Sequence, residues 1–487
     1  MKRVLTAAIL GLPIASAWAH PPGGQEEGVP WPRFRGPDGS GISVAGSPPL
    51  RFGPEENVLW KTPVPPGHSS PVLDGRRVFL TAYDDESLIT LCLDSRSGKV
   101  LWKRALIRSR RDPHDPHNNP ASPTPVTDGE YVYVFLQEVG LIAYGAGGRE
   151  RWRLPLGPFN NAYGMAASPV LAGRTLVLLC DQDTDSFILA VDADSGRVLW
   201  RRARPEARSG HSTPVVYRGP AGEELILAAG SFQLAAYSLA TGEKRWWVNG
   251  LPFQIHPLPV LGKGMVFVNG RPASGLPKAS PPPFRQALAT LDRNRDGSLS
   301  FEEAKQFEGV RYLPGMDLDH NRDISEEEWD FFRAVTAAHG GLMAIRLGPG
   351  RGDRSPDNPI WRYEGSVPDV ASLLLYNDVL FMINEGGVLT SFEPATGSVL
   401  KKARLSGAIA PYYASPVAAD GKIYLANLSG DVAVVEASAD WKLLAVNRFE
   451  EPVYATPALD REHIYIRTAG HLYCLGRGRS GSVPRSE

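Results

Sequence analysis

The stretch Ala190-Val-Asp-Ala-Asp-Ser-Gly-Arg-Val-Leu-Trp200 decides the fold, because related stretches occur twice more in the chain. An earlier copy is Cys92-Leu-Asp-Ser-Arg-Ser-Gly-Lys-Val-Leu-Trp102, and a later one is Ala236-Tyr-Ser-Leu-Ala-Thr-Gly-Glu-Lys-Arg-Trp246. Each copy joins two short strands through a glycine, which can adopt the positive φ of a tight hairpin. Each ends in a tryptophan large enough to fill the space between neighbouring sheets. We therefore expect Trp102, Trp200 and Trp246 to lie between neighbouring repeats.

A strand start of the form Ser/Thr-Pro-Val marks the repeat along the whole chain. It occurs, with small variations, at residues 70–72, 124–126, 168–170, 213–215, 258–260, 415–417 and 456–458, and without proline at 371–373. These eight starts are spaced by about 44 residues, apart from one interval that is lengthened by an insertion of 69 residues. Eight units of four short strands predict an all-β fold, an eight-bladed β-propeller of four-stranded antiparallel blades.

The last repeat ends at Gly476 without a fourth strand. Residues 57–60 can supply that strand from the N-terminal end, which would close the ring without an exposed sheet edge. The sixth repeat has Lys401 where tryptophan is expected, and the seventh has Trp441 in a shifted position.

The repeat resembles the propeller repeat named for pyrroloquinoline-quinone (PQQ) dehydrogenases, over most of residues 56–476. In addition, the segment Trp-Pro-Arg-Phe-Arg-Gly-Pro-Asp-Gly-Ser-Gly-Ile at 31–42, together with Gly-His-Ser-Ser-Pro at 67–71, resembles the start of a group of secreted bacterial PQQ-repeat propeller proteins. Most members of that group have no assigned activity, so the resemblance implies the fold more firmly than the function.

Composition excludes several classes of protein. The chain has 487 residues, of which 43% are hydrophobic and 22% are charged, values that are typical of a folded protein rather than a disordered one. Its 52 Lys and Arg balance 53 Asp and Glu. This balance excludes a dedicated nucleic-acid-binding protein, which needs an excess of basic residues.

The N-terminus has the pattern of an export signal. Lys2 and Arg3 precede an apolar run that is too short to span a bilayer, and Ala17-Trp18-Ala19 is a cleavage motif, so the mature chain is expected to begin at His20. No cysteine follows the apolar run, and no later stretch is apolar enough for a membrane span. We therefore expect a periplasmic or secreted protein, and a monomer.

These patterns divide the chain into six segments. They are the signal peptide (1–19), an N-terminal arm (20–55), the first part of the propeller (56–270), an insertion (271–340), the second part of the propeller (341–476) and a flexible tail (477–487).

The insertion contains two twelve-residue loops, and the first matches the EF-hand calcium loop at every diagnostic position. Its predicted calcium ligands are Asp292, Asn294, Asp296, the backbone carbonyl of Ser298, and Glu303. Ser300 can contribute through a water molecule, Gly297 makes the sharp turn, and Leu299 can pair with its counterpart in the other loop.

The second loop offers Asp317, Asp319, Asn321, Asp323 and Glu328. Arg322 replaces the glycine at its sixth position, and a side chain at positive φ costs about 1 kcal/mol or more, so this site is expected to be weaker. A chance cluster of acidic residues is the alternative interpretation.

Helical spacing flanks the two loops. Apolar residues recur at 284, 288 and 291 and at 329, 332 and 335, while Pro314 interrupts the helix between the loops and Gly340-Gly341 ends the last helix. Calcium is therefore the predicted cofactor.

Residues for enzyme chemistry are few. PQQ dehydrogenases, which the chain resembles, use an adjacent cysteine pair, a carboxylate base and a calcium ion in the propeller channel. The cysteines here, Cys92, Cys180 and Cys474, are far apart in sequence and are interpreted as small buried apolar residues. PQQ is therefore not expected.

Histidines cluster before strand starts, at His68, His211 and His256, and could line the mouth of the central channel. His114 and His117 lie in a polar loop between the first two repeats, where a metal site is one interpretation. The alternative is that these histidines hydrogen-bond the loop backbone, and it is favoured for the repeated Gly-His-Ser motif. Three tyrosines at matching positions are interpreted as packing between blades rather than as a ligand cage: Tyr412, Tyr413 and Tyr454.

Two classes of function remain. The first is an exported, calcium-binding propeller that acts as a non-enzymatic scaffold for a protein or a glycan. The second is a periplasmic PQQ-dependent dehydrogenase. The missing cysteine pair favours the first, and binding loops on propellers follow no common code from which the partner could be named.

Overall fold

The structure, a computed structural model, describes residues 30–44, 46–220, 222–272, 280–307 and 316–477. The predicted signal peptide, Pro314 and nearly all of the predicted tail lie outside the described residues. The described part contains eight sheets arranged as consecutive blades, so the predicted eight-bladed propeller is confirmed.

Blades 1 to 4 are antiparallel meanders in which each strand pairs with the next along the chain. Their strands are β2 (Val72–Leu73), β3 (Arg77–Tyr83), β4 (Ser87–Asp94) and β5 (Val100–Ile107); β6 (Val126–Thr127), β7 (Tyr131–Leu136), β8 (Gly140–Gly145) and β9 (Glu150–Pro155); β10 (Val170–Ala172), β11 (Thr175–Cys180), β12 (Phe187–Asp192) and β13 (Val198–Ala203); and β14 (Val215–Arg218), β15 (Glu224–Gly230), β16 (Gln233–Ser238) and β17 (Lys244–Asn249).

Blades 5 to 8 repeat this arrangement with one long insertion. Their strands are β18 (Val260–Gly262), β19 (Met265–Gly270), β20 (Gly341–Arg346) and β22 (Trp361–Tyr363); β23 (Leu374–Tyr376), β24 (Val379–Ile383), β25 (Val388–Phe392) and β26 (Val399–Arg404); β27 (Val417–Ala419), β28 (Lys422–Ala426), β29 (Asp431–Glu436) and β30 (Leu443–Arg448); and β31 (Ala458–Asp460), β32 (His463–Arg467) and β33 (His471–Leu475). The short strand β21 (Gly352–Asp353) adds a parallel fifth strand to blade 4, and a 3-10 helix covers Ser355–Asp357.

Strand β1 (Val58–Pro63) completes blade 8 by pairing antiparallel with β33, which places Trp60 opposite Cys474. The sequence-based prediction of this closure is therefore confirmed. Because the first and last strands share one sheet, β33 is paired on both sides and leaves no unpaired edge at the junction of the ring.

Tryptophans lie between blades, as predicted, and each meets the turn of the next blade. The indole nitrogens of Trp102 and Trp200 donate to carbonyl oxygens of the next blade at 2.8 and 2.9 Å. The same bond recurs for Trp60, Trp152 and Trp361.

Three blades depart from this rule: blade 7 has Ala445 at the tryptophan position, opposite Val434, and blades 4 and 6 depart for visible reasons. Trp246 is buried between blades 4 and 5, but blade 5 has the long loop 347–360 instead of a tight turn, and Arg354 covers the indole ring at 5.0 Å. In blade 6, Lys401 stands in for tryptophan because its Nζ donates at 2.7 Å to the carbonyl of Trp441 in blade 7.

The described part of the insertion (271–272, 280–307 and 316–340) contains three helices, α1 (Phe284–Leu291), α2 (Phe301–Ala304) and α3 (Glu326–Ala337), around a small apolar core. The predicted helical spacing is thus confirmed. The predicted helix end at Gly340-Gly341 is wrong: α3 ends at Ala337, followed by extended backbone at Ala338, and Gly341 begins β20. Within the described residues, no helix is long and apolar enough to cross a membrane.

Candidate functional site

One residue from each blade faces a cavity on the propeller axis, at the position three residues before the strand-start proline or its counterpart Leu373. These eight residues form the rim of the cavity: His68, Ser122, Ala166, His211, His256, Val370, Tyr413 and Tyr454. The cavity has a volume of about 340 Å³, at the lower end of the range for small-molecule sites. The prediction that His68, His211 and His256 line the channel mouth is therefore confirmed.

A belt of hydroxyl groups lies beneath the rim, at the residue just before each strand-start proline. The backbone N–H at this position donates to the side-chain hydroxyl of the equivalent residue in the next blade, at 2.9 to 3.2 Å. The residues that donate in this way are Ser70, Thr124, Ser168, Leu258, Ser372, Ser415 and Thr456. The belt is interrupted only where Leu258 offers no hydroxyl to Thr213. These bonds explain why Ser or Thr precedes the proline. The sequence shows this preference, but its reason could not be inferred from one repeat alone, because the bonding partner lies in the next repeat.

The N-terminal arm closes the other end of this channel. Trp31 bridges to Leu73 of blade 1, and Ile42 bridges to Ala418 of blade 7, so the segment between them crosses the axis. Arg35 is fully buried and donates at 2.7 Å to the carbonyl of Leu373 in blade 6. Phe34 lies beneath the rim and the belt. Rim, belt and Phe34 together form a blind pocket, which we call the axial cup.

Two histidines of the cup, His68 and His211, are held as neutral rings. Burial lowers the pKa of both His68 and His211 to about 3. His211 is 6% exposed, and the backbone of the loop residue Gly164 approaches its ring without a hydrogen bond of full length and angle. The favoured sequence interpretation, that the rings of the Gly-His-Ser motif bond the loop backbone, therefore stays a prediction for His211.

Aromatic rings pack around the cup in two groups. His211 and His256 stack with centroids 4.7 Å apart, and His68 and Tyr454 stack at 4.0 Å. Tyr413 meets Tyr454 edge-on at 6.1 Å. Two of the three tyrosines thus line the cup, which corrects the prediction that all three pack between blades. Tyr412 is buried and bonds the carbonyl of Ala408, as blade packing requires.

The polar loop between the first two repeats contributes to the cup. His117 lines it and is held by Asp115 at 2.9 Å from its Nδ1. His114 instead directs its Nδ1 at the backbone carbonyl of Asp115, at 3.1 Å. Asp115 and Asn118 of that loop, which the sequence marked as polar, also line the cup, whereas three further polar residues were missed because no repeat pattern marks them: Tyr163, Gln254 and Asp369.

In the second loop of the insertion, the structure brings three of the predicted ligands together. Carboxylate oxygens of Asp317, Asp319 and Glu328 lie within 4.8 Å of one another. Glu328 is 4% exposed, and Oδ1 of Asp317 is buried without a partner. A buried, unpaired carboxylate oxygen beside two other carboxylates is the arrangement that a bound cation would satisfy. Asn321 and Asp323 are exposed and lie outside this cluster, and Nδ2 of Asn321 donates to Asp319.

In the first loop, the predicted ligands bond the loop itself and form no comparable cluster among the described residues. Asp292 accepts from the N–H of Arg295, and Glu303 accepts from Arg293 at 2.9 Å and from the Ser300 hydroxyl at 2.7 Å. Asn294 and Asp296 bond each other, and Ser298 donates to Asp296. Hydrogen bonds from Ser300 lower the pKa of Glu303, so that carboxylate is ionised at neutral pH.

The two loops pair with each other. Ile324 N–H donates to Leu299 O at 2.7 Å, and Ser300 bridges antiparallel to Asp323. This pairing places the eighth positions of both loops side by side, as the sequence predicted for Leu299.

The insertion also docks on the propeller, which the sequence did not predict. Asn160 Nδ2 donates at 2.9 Å to Leu318 O, and Arg208 of blade 3's outgoing loop forms an ion pair with Glu327. Phe331 of α3 packs edge-on against Phe253, with centroids 5.2 Å apart. The second loop therefore lies next to blades 3 and 4.

The three cysteines belong neither to the axial cup nor to the loops of the insertion. All three are buried, and burial raises the pKa of Cys92 and Cys474 to about 12. The sequence-based prediction that they are buried residues is confirmed.

Comparisons with known proteins agree with this architecture. A family profile described as outer membrane protein assembly factor BamB matches residues 87–249 and 335–484. No curated protein matches the sequence.

Several solved structures share the fold. A europium-containing methanol dehydrogenase has 9% identity and a TM-score of 0.57, with 92% of this chain and 98% of that chain covered. A quinohemoprotein alcohol dehydrogenase from Pseudomonas putida HK5 has 13% identity and a TM-score of 0.50, with 94% and 82% covered. BamB from Moraxella catarrhalis has 12% identity and a TM-score of 0.49, with 86% and 100% covered. At these identities the likeness shows the fold alone.

Proposed function

Because the chain belongs to the family of PQQ-repeat propellers described as outer membrane protein assembly factor BamB, we propose that it is an exported, calcium-binding scaffold. In this proposal it holds a protein or glycan partner and catalyses no reaction. The family description supports binding rather than chemistry, and the N-terminal pattern at residues 1–19 supports export to the periplasm or the medium. The protein is expected to act as a monomer.

The calcium-binding part of the proposal rests on the carboxylate cluster of the second loop. Three oxygens within 4.8 Å at Asp317, Asp319 and Glu328 match the hard oxygen ligands that Ca²⁺ takes. The first loop supplies the same kinds of ligand at the same spacing. Because the second loop contacts blades 3 and 4 through Asn160 and Arg208, bound calcium would fix the position of the insertion on the propeller.

The alternative, a PQQ-dependent dehydrogenase, is supported only by a shared fold. PQQ carries several carboxylates, so its site needs cationic side chains. The described lining of the cup contains two carboxylates, Asp115 and Asp369, and neither Lys nor Arg. These residues do not fit that cofactor, and the buried cysteines offer no adjacent pair.

Calorimetric titration with Ca²⁺ tests the proposal, using the mature protein and two variants of adjacent residues. Glu328→Gln removes a carboxylate of the cluster, whereas Glu327→Gln changes an exposed neighbour that faces Arg208. We expect the first variant to lose one calcium site and the second to keep both. No binding at millimolar Ca²⁺ would contradict the calcium part of the proposal.

The scaffold role and its alternative need a second experiment. Affinity capture from envelope extract, with and without Ca²⁺, should retain a partner on the wild-type protein. An absorption spectrum after incubation with PQQ and Ca²⁺ should show no retained quinone, and stoichiometric retention would instead support the dehydrogenase.

A further inference from the structure

The axial cup contains polar atoms that the protein itself leaves unsatisfied. Nε2 of Gln254 and at least one ring nitrogen of His211 are buried without hydrogen-bond partners in the described chain, and the group that approaches the other ring nitrogen is the backbone of Gly164. A buried polar group without a partner costs about 1–3 kcal/mol, so such groups in a pocket indicate a ligand that bonds them. These atoms lie on one wall of the cup, on the side of blades 4 and 5.

The protonation state of His211 limits the chemistry of that ligand. A pKa of about 3 keeps the ring neutral, and a neutral imidazole has one N–H donor and one acceptor nitrogen. Nε2 of Gln254 is a donor. The ligand must therefore both donate and accept hydrogen bonds on this wall, as hydroxyl groups do.

A metal ion fits this wall poorly. The rings of His211 and His256 are stacked with an interplanar angle of 9°. Their nitrogen lone pairs lie in parallel planes and do not converge on one ion about 2.0–2.1 Å from each ring. Among the described residues, the side chains that lie close enough together to hold a metal are in the insertion rather than in the cup.

An anionic ligand fits poorly as well. Asp115 and Asp369 are the charged side chains of the described lining, and Asp369 lies 3.4 Å from His256 Nδ1. Arg271 acts on Asp369 from outside the lining, but within the lining itself the two carboxylates repel anions and accept hydrogen bonds from hydroxyl groups.

The opposite wall is aromatic. Tyr454 stacks on His68, and Tyr413 and His117 continue this wall through edge-on contacts. Aromatic rings bind apolar C–H surfaces, while the amide of Asn118 adds a polar group nearby. One aromatic wall and one hydrogen-bonding wall match the two sides of a sugar ring.

We propose that the axial cup binds the uncharged end of a glycan, one or two sugar residues long. This inference rests on the proposed scaffold function and specifies its partner. The closed floor at Phe34 makes the cup a site for a chain end rather than for a threaded chain, and a cavity of about 340 Å³ limits the bound portion to a small unit.

The test uses saturation-transfer NMR and calorimetry with the mature protein in millimolar Ca²⁺. The probes are maltose, cellobiose and chitobiose as neutral sugars, and glucuronic acid as an anionic one. We expect at least one neutral disaccharide to bind, and glucuronic acid to bind at least tenfold more weakly. No neutral sugar binding, or a preference for the anion, would overturn the proposal.

Variants locate the site. His211→Phe keeps a ring but removes both nitrogens, and Gln254→Leu removes the amide; each should weaken sugar binding at least tenfold. His463→Phe, a histidine in β32 beside Asp460, is the matched control and should bind as the wild type does. Unchanged affinity in both cup variants would overturn the assignment.

The thermal transition of the propeller shows that each variant is folded. The calcium titration separates the two proposals. Intact calcium binding without sugar binding refutes the glycan site alone, whereas absence of calcium binding with sugar binding intact refutes the calcium part of the scaffold function.

Discussion

At the scale of single residues, the contact between a tryptophan and a glycine joins each blade to the next. A Cβ atom built on Gly242 would lie 2.5 Å from Trp200, and one on Gly196 would lie 2.6 Å from Trp152. Both glycines also have positive φ. Glycine is therefore required at this position for two reasons: the hairpin needs a positive φ, and the indole of the preceding blade leaves no room for a Cβ atom.

These two requirements can be separated by experiment. Gly242→Ala places a methyl group at φ +69° against Trp200, whereas Gly173→Ala places one at φ +57° in open space. Left-handed backbone costs alanine about 1–2 kcal/mol at either site. We expect Gly242→Ala to lose at least about 1 kcal/mol more free energy of unfolding, measured in urea, because the indole must move. Equal losses would show that only the backbone conformation matters.

The tryptophan itself is expected to contribute more. Trp200 is 6% exposed, and its indole nitrogen donates at 2.9 Å to Leu239 O. Trp200→Ala should lower the free energy of unfolding by about 3–5 kcal/mol, the range for removing a buried aromatic side chain. Trp247→Ala, at a half-buried tryptophan in β17, is the control and should cost clearly less. An unchanged melting temperature for Trp200→Ala would contradict the role of this residue between blades.

At the scale of elements, a feature could be predicted from the sequence when the residues that form it lie close together along the chain, and was missed when they lie far apart. The loops of the insertion were recognised because their ligands are spaced within twelve residues. The docking of α3 through Phe331 was not, because Phe253 is distant in sequence and no pattern links the two. The cup was only half recognised: the histidines share a repeat position, but Tyr413 occupies the same position with a different residue type.

Calcium binding by the first loop depends on its twelfth residue. Glu303→Gln removes the charge that can close the calcium shell in bidentate fashion, so this site should weaken while the blades stay folded. Calorimetry should show one weakened site, and the thermal transition of the propeller should be unchanged. Loss of both sites would indicate that the paired loops cannot bind calcium independently.

The second loop tests backbone strain. Arg322 has φ +72°, the conformation that glycine adopts at Gly297 in the first loop. Arg322→Gly should relieve this strain and tighten the second site, which we expect to be the weaker one, in the millimolar to submillimolar range of extracellular calcium modules. Arg322→Ala is the control, because it removes the same charge but keeps a Cβ atom at positive φ.

The two substitutions distinguish strain from charge. If Arg322→Ala tightens calcium binding as much as Arg322→Gly, charge repulsion by the guanidinium explains the weakness. If neither changes the affinity, the buried cluster of Asp317 and Glu328 offsets the strain, and the predicted order of the two sites is wrong.

At the scale of the whole molecule, the ring was predictable because the repeat is local and its spacing is regular. The closure by β1 followed from one missing strand in the last repeat. The closed floor did not follow, because the arm makes contacts that no repeat contains: Arg35 reaches Leu373 across the axis. Contacts that occur once in a fold leave no periodic signal in the sequence.

Ring closure can be tested with two shortened chains that differ by six residues. A chain that begins at residue 58 lacks the arm but keeps β1, whereas one that begins at residue 64 lacks both. In β1, Trp60 donates at 2.9 Å to Ser95 O and Thr62 donates at 2.7 Å to Gly98 O, so this strand joins blade 8 to blade 1. Without it, β33 becomes an unpaired edge that can pair with another chain.

We therefore expect the chain that begins at residue 58 to fold as a monomer with a lowered melting temperature, since it loses the floor and the packing of Phe52 against Tyr424 and Phe449 but keeps the ring closed. The chain that begins at residue 64 should melt lower still, without a single cooperative transition, and should aggregate in size-exclusion chromatography. A synthetic peptide of residues 56–64 added to it should restore part of the lost melting temperature, because the peptide can occupy the open edge. If both chains melt at the same temperature, β1 does not hold the ring closed, and the packing between blades alone must do so.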